Sequence, residues 1–102
     1  MRVIARLDIK NEFLIKGINL EGLRKIGKAK EAAINYYKNN IDEMVYIDTV
    51  ASLYSRDAIV DILRDSVKNI FVPITVGGGI KSLGDATNYF EHGADKIFVN
   101  TA

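Results

Sequence analysis

"PITVGGGI", residues 73–80, is the stretch on which the fold turns. Residues with strand character run straight into three glycines and an isoleucine. Glycine gives up more backbone entropy than any other residue, so three in succession are a poor way to build a strand. They mark a strand end where something approaches too closely for a side chain. At the C-terminal end of a parallel strand, free N–H groups and the positive end of the next helix make an anion site. Glycines there would let a phosphate oxygen reach the backbone. A tight turn with close strand–helix packing explains them as well, and the residues alone leave both readings open. The stretch is not a nucleotide P-loop, because no Gly-Lys-Ser or Gly-Lys-Thr follows.

The pattern outward from these glycines is regular. "RVIARLDIK" (2–10) alternates and is rich in branched residues, so it reads as a strand. Asn11 to Gly27 reads as a polar, glycine-bearing loop. "KAKEAAINYYKNN" (28–40) has helical spacing through Ala29, Ala33, Tyr36 and Tyr37, and "EMVYIDT" (43–49) is a second strand. "SRDAIVDILRDSVKN" (55–69) predicts an amphipathic helix with Ala58, Ile59, Ile62, Leu63, Ser66 and Val67 on one face and Ser55 as its cap. "VPITVG" (72–77) is a third strand, with Pro73 where proline is tolerated. Ser82 and Asp85 resemble a capping box for "LGDATNYFEH", which Gly93 stops, and "DKIFVN" (95–100) is a fourth strand. Strands alternating with helices imply a parallel sheet with right-handed crossovers. A faint echo links "IDEMVYIDT" with "ADKIFVNT".

Composition bounds the function. The chain has 102 residues, 48% hydrophobic and 26% charged, with a formal net charge of +1, as expected of one soluble globular unit spanning 1–102. No apolar run is long enough to cross a bilayer, and the N-terminus shows no signal pattern. Near-neutral charge argues against nucleic acid or an anionic membrane as partner. With no cysteine and a single histidine, His92, no metal site is expected, and a cytoplasmic location fits.

Five blocks, "VIARLDIK", "LIKGINLEGLRKIG", "IDEMVYIDTVAS", "PITVGGGIKS" and "GADKIFVNTA", closely resemble the cyclase subunit of imidazole glycerol phosphate synthase, the HisF family, in order and spacing. The resemblance runs from Arg2 to Ala102. It implies an eight-stranded (β/α) barrel of the TIM type, of which this chain matches the first four strands and three helices: a half-barrel. It implies no cofactor. Asp8 matches the catalytic general acid/base at the end of the first strand, and Lys16 matches a loop lysine implicated in substrate handling and in signalling from a glutaminase partner. Asp48 matches an aspartate after the second strand, where turn formation or helix capping is an equal explanation. Gly77, Gly78, Gly79, Asn100 and Thr101 resemble a phosphate cradle. Arg2, Glu43 and Lys96 resemble members of an ammonia entrance gate, and they would serve equally as charges that keep strand ends in register.

The departures from the family are as informative. The second catalytic aspartate belongs to a fifth strand, and one carboxylate cannot both donate and abstract protons at opposite sides of a forming ring. The cyclase reaction is therefore not expected on this chain alone. Arg6 stands where the family has a small cysteine, on the face of the strand that carries Arg2, Ile4 and Asp8. Buried there, it would need Asp8, a bound anion or water beside it. Lys25, Lys28 and Ala29 also depart from the family's loop pattern. A half-barrel leaves its first and fourth strands as open edges and its inner face bare.

Three expectations follow. The chain self-associates into a homodimer or higher even oligomer with a phosphate-binding face and no turnover alone. Or it is the N-terminal part of a split cyclase, completed by a C-terminal half-barrel. Or it works with a glutaminase to deliver ammonia to a different phosphorylated or nucleotide-sugar substrate.

Overall fold

The computed structural model describes residues 2–11, 13–18, 22–80 and 82–98, and of 13–18 and 22–26 the backbone alone. Along the chain lie β1 (Ile4–Lys10), β2 (Phe13–Ile18), β3 (Gly22–Lys28), α1 (Ala29–Lys38), β4 (Glu43–Asp48), α2 (Leu53–Asn69), β5 (Ile74–Gly77), α3 (Leu83–Glu91) and β6 (Lys96–Phe98). They build one sheet in the order β3-β2-β1-β4-β5-β6. β1, β4, β5 and β6 are parallel, as the alternation of strands and helices predicts.

Period-two alternation sorts the two faces of the sheet. Ala5, Leu7 and Ile9 of β1, Met44 and Tyr46 of β4, and Ile74 and Val76 of β5 are buried. They meet Ala29 and Ala33 of α1, Ile59, Ile62 and Leu63 of α2 and Tyr89 of α3 in one core. Burying each Leu or Ile contributes roughly 1.5–3 kcal/mol. The opposite face bears Ile4, Arg6, Asp8, Val45, Ile47, Thr75 and Lys96, all exposed or half-buried. No described helix covers it.

Reciprocal hydrogen bonds close the N-terminal end of the sheet. Asp42 donates its N–H to the Val3 carbonyl at 2.8 Å, while its carboxylate accepts the Val3 N–H at 2.6 Å. Asp95 does the same with Ile74, at 2.8 Å and 2.7 Å. The echo between "IDEMVYIDT" and "ADKIFVNT" thus begins at two aspartates with one task.

The structure corrects three expectations. Residues 13–18 and 22–28 are not loop but an antiparallel hairpin, whose β2 pairs with the end of β1 through Ile9–Leu14 and Lys10–Phe13. α2 starts at Leu53, capped by Ser52, whose Oγ accepts the Ser55 N–H at 3.0 Å. Val67 and Tyr36, placed on buried faces by their spacing, are 51% and 42% exposed. Ser82 does cap α3, accepting the Asp85 N–H at 3.2 Å, and Gly93 has the positive φ of +123° that ends it. Among the described residues no helix is long and apolar enough to cross a membrane.

Candidate functional site

The chemistry gathers at the C-terminal ends of the parallel strands. Asp8, next to last but one in β1, pairs in register with Ile47 of β4, and Ile47 pairs with Gly77 of β5. Asp8 lies on the open face, its side chain 43% exposed, and accepts from Arg6 Nε at 3.1 Å. Of the partners Arg6 could take, the structure supplies Asp8. The Arg6 side chain is 66% exposed, so no burial cost arises in this chain by itself.

Asp48 is in register with Ile9, so it lies on the helix side, away from Asp8. It is buried, and its Oδ1 gathers three donors: the N–H groups of Val50 (3.0 Å) and Ala51 (2.9 Å) and the Ser55 hydroxyl (2.6 Å). Those bonds hold Ala51 at φ +60°, a conformation that alanine rarely adopts. They also join the end of β4 to the first turn of α2. Oδ2 is buried with no partner among the described residues. This is the geometry of a turn-forming residue.

The three glycines now have identifiable neighbours. A Cβ on Gly77 would overlap the ring of Phe98, which lies across it from β6. A Cβ on Gly78 (φ +77°) would press on the Asp48 carbonyl, and one on Gly79 (φ +66°) on the Asp48 carboxylate and Ala51. The chain's own backbone and side chains therefore approach these glycines, as in the tight-turn reading. Both later glycines have the left-handed φ that only glycine adopts freely.

The other predicted residues separate by place. Arg2, Glu43 and Lys96 stand at the N-terminal ends of three strands, the far end from Asp8. Arg2 and Glu43 form an ion pair; Lys96 is exposed, with no carboxylate against it among the described residues. Lys16, expected on a loop, lies in β2 opposite Arg24. Asn100 and Thr101 lie outside the described residues. Sequence reasoning gave Ser55 the wrong role, the helix cap, and missed Phe98. The signal for Phe98 was its strand parity with Lys96, which puts it on the open face.

A groove of about 280 Å³ between α1 and α2, lined by Lys28, Tyr54, Asp57 and Ile62, lies on the outer helical surface instead. The Lys30–Asp61 ion pair, 2.6 Å, joins its walls. It does not reach the strand ends that carry Asp8.

The sequence pattern of histidine biosynthesis proteins matches residues 2–102. The chain belongs to that family. It is similar to the imidazole glycerol phosphate synthase subunit HisF of Legionella pneumophila, 53% identical over 102 residues. It is also similar to the subunits of that name from Thermococcus gammatolerans and Pyrococcus furiosus, each 43% identical over 101 residues. These alignments take in 99–100% of this chain, but 48% of the Legionella protein and 40% of each of the other two. The chain spans about half the length of these HisF relatives, or less. Its four parallel strands and three helices are accordingly a half-barrel of the HisF type.

Proposed function

We propose that residues 1–102 fold as one half of a HisF-type barrel, which works only once its open sheet face is closed by a second half. The observation that carries this reading is Asp8. A carboxylate at the C-terminal end of β1 stands on a sheet face that no described helix covers. In the preferred form the second half is another copy of this chain, with β6 of each copy beside Ile4–Asp8 of the other's β1, the part that the pairing with β2 at Ile9 and Lys10 leaves open. Completion would pair the strand edges that otherwise invite uncontrolled association.

In such an assembly Asp8 serves as general acid or base, and the left-handed turn at Gly78 and Gly79 is the site for a substrate phosphate. Lys16 assists from the hairpin. The cyclase and lyase steps do not run on this chain alone, because the second carboxylate would come from the completing half. Arg2, Glu43 and Lys96 form the rim through which ammonia from a glutaminase subunit would enter, in a cytoplasmic complex.

A second reading, a changed substrate, is favoured by the Arg6–Asp8 ion pair. The guanidinium takes up one of the two carboxylate oxygens that a substrate proton would otherwise meet.

Molar mass by light scattering behind size exclusion tests completion. A dimer or higher even assembly supports self-completion. A stable monomer overturns it, and regain of ammonia-dependent turnover on mixing with a C-terminal HisF half would then establish the split enzyme.

A further inference from the structure

The groove between α1 and α2 lies on the outer surface of the helical layer, on the side of the sheet away from Asp8, and holds about 280 Å³. Small-molecule pockets begin at about 300 Å³, so its size suits one small metabolite. Lys28 and Lys30, at the start of α1, line one side; Asp57 and Asp61, one helical turn apart on α2, line the other. Two cations thus face two carboxylates across a single cavity.

The two pairs are in different states. Lys30 reaches Asp61 at 2.6 Å and closes one end of the groove. Lys28 and Asp57 are both exposed, and neither has a hydrogen bond or ion pair among the described residues. Ala58, Ile62 and Tyr54 supply the apolar part of the lining. Opposite charges held apart around an apolar cavity are complementary to a ligand that carries both.

Lys28 is also one of the positions, with Ala29, where the chain departs from the family's loop pattern. Ala29 is fully buried and fixes where the Lys28 side chain starts, while the flexible lysine stem lets the ammonium reach a ligand.

We propose that this groove binds a free α-amino acid with an apolar side chain. Its carboxylate sits on Lys28, its ammonium on Asp57, and its side chain against Ala58, Ile62 and Tyr54. A ligand with a single charge would leave Lys28 or Asp57 unanswered, which is how the groove selects a zwitterion. Lys28 ends β3, and Asp57 stands in the second turn of α2, so the bound amino acid ties the hairpin to the helical layer. Because β3 pairs with β2, which carries Lys16, occupancy regulates the hairpin from behind the sheet. None of this depends on how the open face is closed.

Calorimetric titration of the whole chain with L-leucine, isocaproate and isoamylamine tests it. The three share one branched side chain; isocaproate lacks the ammonium and isoamylamine the carboxylate. L-leucine should bind at least roughly tenfold more tightly than either of the others. Lys28→Gln should weaken L-leucine to the level of isoamylamine, and Asp57→Asn should weaken it to the level of isocaproate. Lys28→Arg, which keeps the charge, should keep most of the affinity. Both positions are exposed, so the variants should melt with the parent chain, which separates lost binding from lost fold. Equal affinities for the three probes overturn the proposal, as does an absence of L-leucine binding at millimolar concentration. So does a selective affinity that survives both Lys28→Gln and Asp57→Asn, since the zwitterion would then sit elsewhere.

Discussion

The Tyr46 hydroxyl lies 2.7 Å from Ser66 Oγ, and Ser66 gives its own proton to the Ile62 carbonyl at 2.8 Å, so Tyr46 is the donor of the pair. Tyr89 is buried as deeply, but its hydroxyl has no partner among the described residues. Replacement by phenylalanine should therefore separate the two. Tyr46→Phe should cost about 1 kcal/mol, the net worth of a neutral hydrogen bond, whereas Tyr89→Phe should be neutral or gain a few tenths. Urea unfolding of both variants checks the contrast, and a loss above 1 kcal/mol in Tyr89→Phe would contradict it. Both phenols also link folding to alkali. Burial pushes Tyr46 up to about 12, against the pull of the Ser66 bond and with a small push from Asp65. Burial raises Tyr89 as well, helped by the charges of Asp48 and Asp85. Above pH 10 the unfolded chain gives up these protons while the native chain keeps them, so stability falls with rising pH. The melting temperature should start to drop near pH 10 and continue down through pH 12, and Tyr46→Phe should flatten that decline.

The start of α2 is where a local signal and a tertiary one were hard to tell apart. Two serines stand three residues apart, and either could cap a helix; the amphipathic face alone points to Ser55. What decides is Asp48, buried at the end of β4 and in need of a hydroxyl donor, which Ser55 supplies while Ser52 takes the cap. Ser52→Ala should cost about 1 kcal/mol, as a lost N-cap does. Ser55→Ala should cost more, about 1.5–3 kcal/mol, because it strips a bond from a buried carboxylate. Chemical denaturation of the two ranks them, and equal losses would place Asp48 outside the linkage. The hairpin was hidden for a related reason. Gly17, Gly22 and Gly27 interrupt its alternation, and the register shifts between Leu14 and Ile15, so no clean period-two run is left to read. β1 and β4 were legible because each buries one full face under the helices, which forces strict alternation.

Across the whole molecule, the order of the parallel strands and helices and the half-barrel were legible, but the cover of the open face was not. Ile4, Val45 and Ile47 alternate with core residues, so from sequence they look like any outward positions; only the bare sheet shows that they form a continuous surface with Arg6 and Lys96. Closing two copies into a ring would collect both pairs of Arg6 and Lys96 inside it, and like charges brought out of water repel. Assembly should therefore strengthen with phosphate, and the melting temperature should rise with protein concentration as linkage requires. Scanning calorimetry over a hundredfold concentration range, with and without phosphate, checks both trends. A melting temperature independent of both would remove the self-completed ring.

The two aspartate clasps at the N-terminal end of the sheet have a further consequence. One lies in the β1–β4 piece, the other in the β5–β6 piece; the chain passes between them through α2, and the two pieces meet where β4 pairs with β5. Each clasp is contained within its own strand–helix–strand piece. A cut in the Phe71–Val72 turn would leave both pieces stitched, so the nicked halves should reassemble like two leaves of a hinge. The Ile74 amide, buried in its clasp, would be among the last in its leaf to surrender its proton to heavy water.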